Sequence, residues 1–285
     1  MWWTAAVGRL ERASGLDPAT SAMTRAVQAV LPAGPVKDAL HGRWLGHPVH
    51  PLLVALPIGL WSGASLLDLT PGDTRAAARR LVGAGVLSVL PTAAAGYADW
   101  SELGTFERPK RVGLVHAAAN AATTAVYAAS WLARRRGDEA TGRGLALLGL
   151  AGLAVGGYLG GHLAYSEGVG MDRNADEPPE PLEWTDAAAG ADVADGALVR
   201  VDVEGQQVLL TRRGGRVQAI GAVCSHYGAP LEDGEVDDEG CVVCPWHSSR
   251  FRLEDGSVAR GPAVSPQLSY DVREAGDRLQ VKVRL

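Results

Sequence analysis

The stretch Cys224–His247, CSHYGAPLEDGEVDDEGCVVCPWH, decides how the rest of the chain is read. It carries two pincers: Cys224 and His226 in a C-x-H arm, then, after seventeen residues, Cys244 and His247 in a C-x-x-H arm. A Cys2His2 zinc finger places both cysteines first and both histidines last, so one thiolate and one imidazole per arm is a different ligand order. It suits a two-iron, two-sulfur cluster in which one iron takes both cysteines and the other both histidines. A zinc site is the competing reading.

Gly228 and Pro230 supply a turn after the first arm, and Pro245-Trp246 sits inside the second. With these flanks the stretch resembles the Rieske iron–sulfur family, in particular its ferredoxins. The resemblance implies Cys224, His226, Cys244 and His247 as ligands of a [2Fe-2S] cluster, and Ser249 as a hydroxyl donor to a bridging sulfide. It also implies that the loop at Gly261-Pro262, before Leu268 and Tyr270, covers the cluster. High-potential members of the family have a disulfide between the arms and a tyrosine after the second. Here Ala229 and Trp246 stand at the disulfide positions and Phe251 at the tyrosine position, which implies a potential between the ferredoxin and quinol-oxidising extremes of a range of about −150 to +300 mV.

The 285 residues allow two domains, and a net charge of −5 with mean hydropathy near zero points to neither a nucleic-acid binder nor a disordered acidic protein. The averages conceal a division. Residues 51–165 are dominated by Ala, Leu, Gly and Val, whereas residues 167–285 are charged throughout. Four apolar segments, about Pro51–Leu69, Leu81–Ala98, Val112–Ala133 and Gly144–Tyr165, each have the length of a membrane crossing. Gly152, Gly156 and Gly160 recur at four-residue spacing on the last. His116, Asn120, Thr123 and Tyr127 form a polar stripe on the third that should face inward.

The expected architecture is multidomain: an all-α four-helix transmembrane bundle followed by a small all-β Rieske domain. Residues 1–46 form an amphipathic helical segment without the features of a cleavable signal, 47–166 the transmembrane domain, 167–181 an acidic, Pro-rich linker, and 182–285 the Rieske domain. In the last of these, short alternating stretches are separated by Gly- and Asp-containing turns. Cys241, in the apolar run before the second arm, reads as a buried strand residue.

The stretch GHPVHPLLVALPIGLW at Gly46–Trp61, with Asp68, Asp99, His116, Asn120 and GGHLAYSEGVG at Gly160–Gly170, resembles an uncharacterised bacterial family of four-helix membrane domains. That resemblance supplies no biochemical role, but it places the chain in the bacterial cytoplasmic membrane. No histidine follows His247, so the soluble domain has no second, mononuclear iron site of the oxygenase kind.

With four crossings, His47, His50, His116 and His162 fall at the membrane face that carries the Rieske domain. They are candidate ligands of a b-type haem, with His116 and His162 the deeper pair, or of a quinone or metal site; the plain alternative is interfacial polarity and hydrogen bonding across the bundle. Asp68, at the other face, reads as a helix-end residue. Seven basic residues near the helix ends on one side against six on the other do not choose an orientation. The run Arg134–Arg136 fits either a twin-arginine export signal or a basic loop. The functional expectation is a carrier of single electrons between a redox partner protein and a membrane component, quinone or haem, with a redox sensor or assembly factor as the alternative.

Overall fold

Prolines mark several helix starts, where the missing N–H leaves nothing unpaired. Pro18 and Pro35 lie in first turns and Pro48 precedes the first long helix. The computed structural model describes residues 2–285. Its helices are α1 (Trp2–Glu11), α2 (Asp17–Val30), α3 (Pro35–His41), α4 (Val49–Leu69), α5 (Arg75–Trp100), α6 (Glu107–Arg135) and α7 (Glu139–Tyr165). Ten strands follow: β1 (Thr185–Ala189), β2 (Leu198–Val203), β3 (Gln206–Arg213), β4 (Arg216–Gly221), β5 (Glu235–Val236), β6 (Cys241–Val243), β7 (Arg250–Arg252), β8 (Val258–Arg260), β9 (Ser269–Ala275) and β10 (Arg278–Val283). The chain forms two compact units, one running to Pro32 and again over Pro48–Gly170, the other comprising Ala33–His47 and Met171–Leu285.

In the helical unit α4 packs on α5, α5 on α6, α6 on α7 and α7 on α4, so α4 and α6 stand diagonally; α1 and α2 lie against α6. Three helices, α4, α5 and α7, are long and apolar enough to cross a membrane. The expectation of four apolar spans is therefore met in three. The 29-residue α6 is long enough, but His116, Asn120, Thr123, Tyr127, Ser130 and Arg134 lower its apolarity. Those groups face glycines of α7. A Cβ on Gly149 would meet the Tyr127 ring at 2.5 Å, one on Gly152 the Thr123 hydroxyl at 2.2 Å, and one on Gly156 the Asn120 amide at 2.5 Å. The glycine stripe of α7 and the polar stripe of α6 thus interlock residue by residue.

The two hairpins, α4–α5 and α6–α7, repeat one another. His50, Trp61 and Asp68 on α4 are followed sixty-six residues later by His116, Tyr127 and Arg134 on α6. Trp61 and Tyr127 stack across the diagonal with centroids 4.1 Å apart. Arg134, wholly buried, donates to both carboxylate oxygens of Asp68, with Glu139 3.7 Å from Arg134 and Arg143 3.7 Å from Asp68. Asp68, at the end of α4, is accordingly also half of a buried ion pair, and Arg134 lies in the last turn of α6 with its side chain buried rather than in a free basic loop.

In the other unit all strand pairings are antiparallel. β1-β10-β9-β4-β3-β2 make a six-stranded sheet and β5-β6-β7-β8 a four-stranded one inserted between β4 and β9. Alternation in β3, with Val208 and Leu210 on one face and Leu209 on the other, feeds two separate cores. The smaller sheet and Leu209 enclose Cys224, Cys244 and Phe251. Cys241 is buried in β6, as its apolar neighbours suggested.

Removing one partner of the Asp68–Arg134 pair leaves a buried charge exposed to a poor solvent. Arg134→Ala is expected to cost about 3–5 kcal/mol, and the double change Asp68→Asn with Arg134→Met distinctly less. Thermal unfolding of the detergent-solubilised chain measures both; equal stability of Arg134→Ala and wild type would contradict it.

Candidate metal centre

Both arms are built alike from the backbone up. In the first, the Cys224 N–H donates to Ala229 O at 2.9 Å and the Gly228 N–H to Cys224 O at 2.8 Å. In the second, the Cys244 N–H donates to Ser249 O at 2.8 Å and the Ser248 N–H to Cys244 O at 3.0 Å. Each turn needs a left-handed residue four places after its cysteine: Gly228 has φ 74° and Ser248 φ 58°. The amides that follow each cysteine are turned onto its sulfur, those of His226 and Tyr227 onto Cys224, and those of Trp246 and His247 onto Cys244.

These arms bring all four sequence-assigned ligands together. The two thiols are buried and hydrogen-bonded to each other, and the rings of His226 and His247 lie 5.0 Å apart at 85°. The contact with Cys244, and then burial, push the Cys224 thiol well up, while the contact with Cys224 holds Cys244 down at about 6. Burial, then the charges of His247, His41 and Arg173, hold His226 well below the usual histidine range, so its ring is neutral. A thiolate and a neutral imidazole are the forms that bind metal. His226 Nδ1 is buried with no hydrogen-bond partner. An orphaned buried acceptor is costly, and a metal ion satisfies it. Two sulfurs and two imidazoles fit the donor set of a [2Fe-2S] cluster.

The loop after β8 is fastened to both arms. Ser249, fully buried, accepts the Ala263 N–H at 3.0 Å, which leaves its hydroxyl hydrogen to donate elsewhere; Ser225 donates to Ser265 O at 2.7 Å. Two further segments support the site in ways the motif did not indicate. Asp38 accepts the Gly261 N–H at 3.0 Å, and a Cβ on Gly261 would meet the ring of the buried His41 at 3.3 Å. The stretch read as a linker is bonded to the first arm, with the Arg173 N–H on Ser225 O, Asn174 on Val223 O, and the Arg173 guanidinium over Tyr227.

The membrane-half histidines separate into three environments. His47 is exposed and precedes α4. His162 Nε2 lies 2.9 Å from Glu11 and 3.7 Å from Glu167, both of which also accept from Arg108. These three could hold a cation, and Arg108 already offsets part of the charge of the two carboxylates. His50 and His116 each direct Nδ1 at a backbone carbonyl of the adjoining helix. The structure therefore does not pair His116 with His162.

Residues 183–274 match the Rieske [2Fe-2S] domain family, and residues 46–173 match a family described as predicted membrane protein (DUF2231). The 3-phenylpropionate/cinnamic acid dioxygenase ferredoxin subunit of Escherichia coli K12 is 36% identical over 88 residues, which are 30% of this chain and 82% of that protein. Apoptosis-inducing factor 3 of Homo sapiens is 31% identical over 106 residues, 36% of this chain and only 17% of that protein. Among solved structures, the ferredoxin of carbazole 1,9a-dioxygenase from Nocardioides aromaticivorans IC177 is 31% identical, with 35% of this chain and 98% of that one covered, at a TM-score of 0.34.

The shared turn geometry predicts substitutions of opposite sign. Gly228→Ala should destabilise the holoprotein by about 1–2 kcal/mol, because a left-handed Cβ is strained even with space around it. Ser248→Gly should be neutral or stabilising by up to about 1 kcal/mol. Melting temperatures of the cluster-loaded variants check the pair; stabilisation by Gly228→Ala would contradict it.

Proposed function

The chain belongs, through its carboxy-terminal domain, to the Rieske [2Fe-2S] family, and from that premise we propose that it is a membrane-anchored carrier of single electrons. Electrons would pass between a redox partner protein and a component of the membrane, quinone or haem, with α6 crossing the bilayer beside α4, α5 and α7. The observation that carries this reading is the paired cradle, with both thiols and both imidazoles converging in a domain that spans most of a dioxygenase ferredoxin subunit. The name of that relative supports a carrier of electrons in this chain as well.

When bound, the cluster supplies a one-electron couple. Cys224 and Cys244 would hold one iron and His226 and His247 the other, and the four amides aimed at the cysteine sulfurs would stabilise the extra negative charge of the reduced state. Phe251, Leu231 and Leu253 exclude water from the cysteine side. Ser249 would direct its remaining hydrogen to a bridging sulfide, which favours the reduced form.

Ser249→Ala should lower the midpoint potential by roughly 65–130 mV, since a hydrogen bond to a charged acceptor contributes about 1.5–3 kcal/mol and a one-electron couple moves about 59 mV per tenfold change. A redox titration followed by electron paramagnetic resonance measures this, and an unchanged or raised midpoint would contradict the donor role. The carrier reading itself predicts rapid reduction or oxidation of the cluster by a quinol or a reductase in stopped flow; a cluster inert to both on the turnover timescale would overturn it.

A further inference from the structure

His50 and His116 occupy equivalent places in the two repeated hairpins. His50 Nδ1 lies 2.9 Å from Thr92 O on α5, and His116 Nδ1 lies 3.0 Å from Gly156 O on α7. One turn beyond each carbonyl is a glycine against the ring: a Cβ on Gly96 would sit 2.8 Å from His50 Cε1, and one on Gly160 3.2 Å from His116 Cε1. A carbonyl oxygen only accepts, so both Nδ1 atoms carry hydrogen and both Nε2 atoms present a lone pair. That is how a histidine is oriented for metal ligation. The Asn120 amide nitrogen is 3.3 Å from His116 Nδ1 and 3.2 Å from Nε2. Being equidistant, it lies over the ring and leaves the in-plane lone pair of Nε2 unused. The helices that carry the two rings are diagonal in the bundle.

The surroundings select the ligand. Residues 49–60 of α4, 88–98 of α5, 112–124 of α6 and 152–161 of α7 contain no acidic residue and no cysteine. Asp99 is seven residues beyond Thr92, about 10 Å along α5. A bare dication held by two neutral imidazoles would keep its whole charge in an apolar setting, at prohibitive cost. A porphyrin brings two negative charges and four equatorial nitrogens, so that two axial imidazoles suffice. Ala117 and Ala119 next to His116 on α6, and Ala93 and Ala95 next to Thr92 on α5, offer little bulk near the rings.

We propose that His50 and His116, one from each hairpin, are the axial ligands of a non-covalently bound haem. The inference rests on the carrier reading and names its membrane component. Ferric haem becomes ferrous by taking one electron, the number the reduced cluster loses in becoming diferric. His162, bound to Glu11, is not a ligand.

The test is the full chain expressed with sufficient haem, extracted from membranes, and assayed for haem by the pyridine haemochrome, for iron and acid-labile sulfide, and for the cluster by electron paramagnetic resonance. One haem per chain is expected, lost in His50→Ala and in His116→Ala with the cluster signal retained, and kept in His47→Ala and His162→Ala. His116→Met should keep haem and raise its potential, a shift that a merely structural histidine would not produce. Wild-type protein with a full cluster and no haem overturns the inference while leaving the carrier reading intact, as does a metal beyond the cluster irons without haem. Retention of haem in both alanine variants overturns it too. Haem without a cluster would sustain the ligand pair and remove the carrier reading.

Discussion

The two arms that carry the four candidate ligands are held by backbone hydrogen bonds, with no covalent link between them. Each arm closes when its cysteine N–H reaches the carbonyl five residues on and a left-handed residue returns an N–H to the cysteine carbonyl. All three cysteines are free, and Ala229 and Trp246 stand where a disulfide would join the arms. The loop at Gly261–Ser265 takes over that role, because Ala263 bonds Ser249 on one arm and Ser265 bonds Ser225 on the other. Hydrogen bonds in a dry setting fix geometry well but contribute only modestly to stability. That explains the additional buttressing by Asp38 on Gly261 and by Arg173 and Asn174 on the first arm.

The helical unit applies the same economy to a different problem. Polar side chains in an apolar bundle need partners inside it, and contacts recur at three matching levels of the two hairpins: imidazoles on carbonyls, stacked aromatic rings, and a carboxylate with a guanidinium. Glycines on α5 and α7 make room at every level. A Cβ on Gly85 would strike Trp61 at 2.3 Å, as one on Gly149 would strike Tyr127 at 2.5 Å. The bundle is therefore specified by large polar or aromatic groups on α4 and α6 set against small residues on α5 and α7.

Much of this was legible in the sequence, and the gaps have physical causes. Ligand spacing in the two arms determines local turns, so the motif alone brought Cys224, His226, Cys244 and His247 together. Helical periodicity placed the polar stripe of α6 and the glycine stripe of α7 on defined faces. It could not say which neighbour each face would meet. His162 lies only two residues past Gly160, yet that is more than half a turn of helix, and it turns to Glu11, 151 residues earlier. The repeat of His50, Trp61 and Asp68 in His116, Tyr127 and Arg134 was available as a spacing, but the residue types differ at two of the three levels. The contact of Asp38 with Gly261 spans 223 residues and has no local signal. The third apolar segment falls short as a span because the polar stripe from His116 to Arg134 runs the length of α6.

The most direct test is pulsed electron paramagnetic resonance on the reduced, full-length protein. Two histidine nitrogens coupled to the cluster spin are the expected result, with one coupling lost or replaced in His226→Cys. A paramagnetic cluster without nitrogen coupling, or a protein that holds zinc and gives no signal on reduction, would contradict the central claim.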